Sequence, residues 1–224
     1  MRLQLTLTAN TQPVPFEHLH CLTGAIHKWL GPNNALHNGL SLYSFGWLRG
    51  GKPIGKNLYF LEKTTWTVSF YDDSAAWQLA RGILKDPMVA FGMEAKEAIE
   101  MPNLSFNYQN KMRFAVDGCV VARQKRLDGS REYLLWDNPA ADEVLTRMFR
   151  QKLTAANFSP EHLDATVKFD RSFANARTKI ATIKGIKHKG SECPVIITGT
   201  PEAISFARLV GVGDMTGSGF GALQ

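Results

Sequence analysis

The sequence predicts an α+β chain made of two tandem halves, each ordered β-α-β-β-α-β, with a C-terminal glycine-rich loop. Three observations carry that prediction. Residues 2–8 alternate apolar and polar, the period of a strand with one buried face. Stretches with apolar residues at helical spacing lie between such strands rather than after them, so both element types are mixed along one chain. After a linker at 102–110 the same order of elements begins again.

In the first half, Leu3, Leu5 and Leu7 line one face of the opening strand. Residues 14–30 read as a helix, because Leu19, Leu22, Ile26, Trp29 and Leu30 recur on one stripe, and Gly31-Pro32 stops it. Leu42 to Leu48 is the second strand, and Gly50 to Pro53 a loop. Leu58 to Leu61 and Trp66 to Tyr71 are expected to pair with each other through a turn at Glu62 to Thr65. Ser74 to Lys85 is a helix, capped by Asp73 or Ser74 and ended before Pro87. Phe91 to Met101 supplies the last strand.

The second half opens with strands at Lys111 to Val116, Cys119 to Arg123 and Tyr133 to Trp136. Asp137-Asn138-Pro139 starts a helix over Ala140 to Asn157, with Val144, Leu145, Met148 and Leu153 inward. Strands follow at Ala165 to Phe169, Lys179 to Ile186 and Val195 to Thr198. Pro201 to Val210 is a helix, and Phe220 to Leu223 closes the sheet. Both halves thus have the ferredoxin-like, RRM-like order, the second with an extra hairpin arm. The expected domains are 1–101 and 111–224.

The stretch Gly211 to Gly221 holds five glycines in eleven residues. Glycine weakens helices and strands, so the run implies a sharply turned backbone or one lying against a ligand. A mononucleotide loop is not expected here: no Gly-Lys-Ser/Thr occurs in it, and a following helix and strand are not in view.

Net charge is +6 and the sequence pI about 9.3, which fits an anionic partner. Residues 1–100 carry 9 Lys/Arg against 8 Asp/Glu, and residues 101–224 carry 17 against 12, so the excess lies in the second half. Cys21, Cys119 and Cys193 form no disulfide framework or zinc spacing. No apolar run of the ~18–20 residues needed to span a bilayer occurs, and the alternating N-terminus is unlike a signal peptide. The expectation is a cytoplasmic protein with no cofactor, no metal and no membrane partner.

Four of the six histidines fall within residues 18–37. Histidine suits proton transfer near neutral pH, and His27 with His37, just beyond the helix, would make an acid/base pair. Polar surface or capping roles would account for the same residues. His20 and His27 lie two helical turns apart, roughly 10.5 Å of rise, too far for one metal. Lys52 and Lys56, in a glycine-rich loop, would stabilise charge on a reacting phosphate, or simply connect strands. Ser41 and Tyr43 add hydroxyls near His37. Arg171, Arg177, Lys179, Lys184, Lys187, His188 and Lys189 cluster on and around a hairpin, Arg147, Arg150 and Lys152 add charge on the preceding helix, and Arg123 to Arg131 form another basic run. Such clusters track a phosphate backbone or form a solvated face.

Three stretches together resemble a known family: the opening strand; Leu22 to Leu30 with Leu36-His37 and Leu42 to Phe45; and the loop ending Ser218-Gly219-Phe220-Gly221. They are similar to the RAMP superfamily of CRISPR systems, and within it to the endoribonucleases that cut precursor CRISPR RNA inside its repeats. The resemblance implies His37 as a catalytic residue and His27 as its helper on the first helix. Members with a lysine shortly after the histidine differ from this chain, where 38–41 has none, so Lys28, Lys52 or Lys56 would fill that role or nothing would. The implied reaction is metal-independent attack of a 2′-hydroxyl on the adjacent phosphorus, leaving a 2′,3′-cyclic phosphate and a 5′-hydroxyl. The implied partner is CRISPR repeat RNA, a stem-loop or its flank, gripped by the basic hairpin and by Gly213, Gly217, Gly219, Phe220 and Gly221. Other subunits of a CRISPR effector complex and a homodimer are compatible with the resemblance. The alternative is a non-catalytic RNA-binding subunit of such a complex. An unrelated protein with two ferredoxin-like modules is a further reading, but no aromatic strand motif for base stacking is evident.

Overall fold

The computed structural model describes residues 1–32, 34, 36, 39–102, 104 and 106–224. The first half runs β1 (Arg2–Leu7), β2 (Val14–Pro15), α1 (Leu19–Leu30), β3 (Tyr43–Phe45), β4 (Lys52–Ile54), β5 (Asn57–Tyr59), β6 (Thr64–Phe70), α2 (Asp73–Lys85) and β7 (Ala95–Glu100). The second runs β8 (Lys111–Phe114), β9 (Val116–Asp117), β10 (Ala122–Lys125), β11 (Arg131–Leu134), α3 (Ala140–Ala155), β12 (Thr166–Phe169), β13 (Arg177–Ile183), β14 (Ile186–Glu192), β15 (Val195–Thr198), α4 (Pro201–Val210) and β16 (Ala222–Leu223).

The first sheet has the order β3-β6-β1-β7, all neighbours antiparallel. Leu3, Leu5 and Leu7 are buried on the face covered by α1 and α2, with Leu22, Ile26, Trp29, Ala76 and Leu79. Gly82 allows the helices to approach, since a Cβ there would lie 2.2 Å from the Trp29 carbonyl oxygen. The second sheet has the order β12-β15-β8, and β16 pairs with β9, which extends the β8 edge. Both halves therefore share the ferredoxin-like strand order, as expected from the sequence.

Four local expectations are corrected. The first helix starts at Leu19, because Pro13 and Pro15 disfavour helical backbone before them, and Val14–Pro15 pairs with β5 instead. Gly50 to Pro53 is not all loop: Lys52–Ile54 is a strand paired with Asn57–Tyr59. Those residues do not pair with β6, whose two edges are taken by β1 and β3. The segment Lys179 to Ile186 contains a hairpin tip. Lys184 and Gly185 have φ of 49° and 79°, the tight-turn conformation that closes β13 on β14.

The first core does not stop at the linker. Cys119, Val121, Ala181 and Phe220 from the second half belong to it. A separate cluster between α3, α4 and the second sheet contains Leu145, Phe149, Val167, Ile197, Ile204 and Phe206.

Candidate functional site

His27 sits in the last turn of α1, and Tyr43 begins β3. The Tyr43 hydroxyl lies 3.4 Å from His27 Nε2, with the rings edge to face at 88°. The same hydroxyl donates to the Gly217 carbonyl at 3.1 Å. With its hydrogen so placed, the phenol oxygen accepts from Nε2–H, and a neutral His27 ring then has its basic lone pair on Nδ1. Tyr43 is 2 % exposed and stacks on Phe70 at 14°. Burial pushes its pKa up to about 12, so it is a proton-bearing donor at physiological pH. His37 lies outside the described residues.

The glycine loop forms the wall behind this pair. Residues Thr216–Ser218 make one short 3-10 turn, flanked by left-handed Met215 and Gly219. A Cβ at Gly217 would lie 2.6 Å from Ser41 Oγ and 2.7 Å from Tyr43 Oη, so the bare backbone is what lets the phenol and the turn meet. Gly219 faces Phe45, and its carbonyl accepts the Trp47 indole N–H at 2.7 Å. Phe220 is fully buried, beside His188, which bonds the Tyr133 hydroxyl at 2.9 Å. Gly213 abuts the Val121 carbonyl, and Gly221 abuts Val212. The structure places Gly213, Gly217, Gly219, Phe220 and Gly221 in the interior, with protein as their near neighbours.

Lys152, read from sequence as added surface charge, is 2 % exposed. Its amino group donates to the Val210 carbonyl at 2.7 Å and to Thr216 Oγ1 at 2.8 Å, and Thr216 Oγ1 donates to the Tyr43 carbonyl at 3.1 Å. Burial pulls the Lys152 pKa down to about 7, opposed by Asp214. Its place at the last turn of an amphipathic helix resembles any solvated lysine, so no sequence signal marks it.

The cations separate into two groups. Arg171 forks onto Asp142, Arg177 and Lys179 pair with Glu192, and Arg150 donates to the Asp164 and Ala165 carbonyls. Lys179 also lies over the Trp47 ring at 4.4 Å. Lys187 and Lys189 share one exposed face of β14, Lys184 is exposed at the hairpin tip, and Arg147 is exposed on α3. Helix α1 abuts both β13 and the turn at 216–218. Lys52 and Lys56 are exposed on the β4–β5 hairpin; among the described residues neither bonds His27 or Tyr43. Lys28 is tied to Asp86 at 2.8 Å.

Between the halves lie two arginines the sequence reading missed. Arg2 and Arg208 are 5 % and 7 % exposed, and Nε and Nη1 of Arg2 and Nε of Arg208 have no hydrogen-bond partner. The nearby Asp117 is held by Arg49 at 2.9 Å. Burial, and then Arg208, bring the Arg2 pKa down to about 10. Their positions at a strand end and near a helix end gave no reason to join them before the halves were docked.

Residues 100–224 match the family model described as CRISPR associated protein Cas6, C-terminal. The match spans more than half of the chain, and the chain belongs to the Cas6 family. Cas6 proteins are CRISPR endoribonucleases, and the chain is accordingly a protein of CRISPR RNA processing. Among solved structures, a Cas6-related protein from Pyrococcus furiosus is 17 % identical with a TM-score of 0.85, covering 100 % of this chain and 97 % of that one. One described as a RAMP protein binding different RNA substrates is 18 % identical, TM-score 0.85, covering 100 % and 98 %. A Cas6 product complex is 15 % identical, TM-score 0.71, covering 100 % and 99 %. At these identities the likeness is one of fold. No curated protein sequence matches the chain. No helix among the described residues is long and apolar enough to cross a membrane.

Proposed function

We propose that the chain cuts precursor CRISPR RNA within its repeats by metal-independent 2′-hydroxyl attack, with His27 and His37 as the acid/base pair. The observation that supports this reading best is the contact of His27 Nε2 with the buried Tyr43 phenol, which orients the imidazole and fixes its tautomer. One histidine takes the 2′-hydroxyl proton, that oxygen attacks phosphorus, and the other protonates the departing 5′-oxygen. Products are a 2′,3′-cyclic phosphate and a 5′-hydroxyl. Tyr43 holds His27 in place, and Lys52 and Lys56 would meet the phosphate only through bound RNA. The RNA backbone would lie along Lys184, Lys187 and Lys189, with Arg147 adding charge from α3 and the Arg2–Arg208 pair taking a phosphate between the halves. Arg150, Arg171, Arg177 and Lys179 would contribute field more than contacts, being engaged within the protein. Gly213, Gly217, Gly219, Phe220 and Gly221 would act by shaping the site. A stem-loop or its flank is the proposed substrate; assembly with other effector subunits or as a homodimer would use surfaces beyond this site.

The test is incubation with repeat RNA in EDTA, followed by mapping of the ends. Discrete products with cyclic phosphate ends are expected, and a 2′-deoxy substitution at the cut should abolish them. His27→Ala and His37→Ala should each slow cleavage by ~10²–10⁴-fold. Both variants cutting at the wild-type rate would refute the site, and tight binding of RNA that stays intact would point to a non-catalytic binding subunit.

A further inference from the structure

We infer that Lys152, from the second half of the chain, is a positioning residue for the His27–Tyr43 site and acts through Thr216. This rests on the cleavage reading above and extends it to a residue that touches neither RNA nor histidine. The amino group is enclosed and surrounded by oxygen atoms of uncharged groups: Val210 O at 2.7 Å, Thr216 Oγ1 at 2.8 Å and Gly211 O at 3.4 Å. No carboxylate forms an ion pair with it among the described residues. An interior amine with no carboxylate in contact is costly, and a leucine or methionine would pack there without that cost. What the amine supplies is direction. It binds the carbonyls at the end of α4 and occupies a lone pair of the Thr216 hydroxyl, so that the hydroxyl hydrogen points at the Tyr43 carbonyl, 3.1 Å away.

Tyr43 is thereby gripped at both ends by consecutive residues of one turn. Its backbone carbonyl accepts from Thr216, and its phenol donates to Gly217 O at 3.1 Å. The turn can hold the phenol against His27 only if the turn itself is fixed, and Lys152 is the side chain that ties it to α4. Losing that tie would let Thr216 rotate and the phenol slip from His27 without disturbing the exposed lysines of β14. The role thus predicts a loss in the chemical step with RNA binding retained.

Single-turnover cleavage of repeat RNA at saturating protein, alongside RNA Kd, tests this in the full chain. Lys152→Met and Thr216→Val are each expected to slow cleavage ~10-fold, with Kd within ~2-fold. The double variant should match the single ones, because both break one chain of contacts. Lys152→Arg, which keeps donors, should recover part of the rate. Should Lys152→Met fail to fold, Thr216→Val, which removes only a hydroxyl, carries the test alone. Wild-type cleavage rates in Thr216→Val, or a loss confined to Kd, would overturn the inference while leaving the cleavage reading intact. A wild-type protein that leaves repeat RNA uncut would end both.

Discussion

The Tyr43 hydroxyl donates to the Gly217 carbonyl at 3.1 Å, joining residues 174 positions apart. Since a Cβ on Gly217 would fall 2.7 Å from that hydroxyl, Gly217→Ala must push the phenol or the turn aside. The expected cost is about 1–3 kcal/mol in denaturant unfolding. Cleavage should fall more than stability explains when assayed where the variant is still folded.

Tyr43→Phe keeps the stacking on Phe70 and removes the donor. It leaves a buried carbonyl unpaired, which should cost about 1 kcal/mol. Because burial holds the phenol pKa at about 12, Tyr43 stays protonated through any ordinary assay range. The pH–rate profile of Tyr43→Phe should therefore keep its wild-type shape at lower amplitude. A limb that disappears with the phenol would mean that Tyr43 itself titrates in the reaction.

His18 is buried, with Nδ1 donating to Pro15 O at 3.0 Å, and burial lowers its pKa from 6.5. The unfolded chain then binds more protons than the native one between the native pKa and 6.5, so this residue adds stability above that window that is lost on acidification through it. Chemical denaturation from pH 7 down to 5 should show a gentler acid loss in His18→Phe than in wild type. An unchanged slope would remove His18 as the source.

Lys187→Gln with Lys189→Gln should weaken RNA binding several-fold and lower the slope of log Kd against log salt by about 2, while unfolding is unchanged. Arg208→Met should reduce the slope by about 1 and leave stability equal or higher, since a buried cation with an unpartnered nitrogen is removed. Arg171→Met should instead destabilise, because Asp142 loses its fork.

Elements governed by local chemistry were legible in the sequence. Pro201–Val210 starts with Thr200 capping Ala203 N and ends at Gly211, and both signals stand in the sequence itself. The opening strand was likewise fixed by its alternation. Partner choice was not legible: Leu58 to Leu61 looks like a hairpin mate for β6, and only the saturation of both β6 edges sends the strand Asn57–Tyr59 elsewhere. The site divides in the same way. His27 stood out by its chemistry and Tyr43 by its proximity to His37. Lys152 became distinctive only when α4 and the turn at 216–218 closed over it, and Arg2 and Arg208 only when docking of the halves removed water from them. The glycines announced close approach but not against what, because an absent side chain does not indicate which surface fills its place.

Phe220 completes the first core, and the turn at 216–218 backs Tyr43. A ribosome releases His27 and Tyr43 long before either. Once residues 1–100 have emerged, the first sheet and its two helices still lack Phe220, and Tyr43 still lacks the turn behind it. The site is assembled late, so an aborted or clipped chain lacking residues 211–221 would retain His27 and every lysine and arginine without the backing that aligns Tyr43.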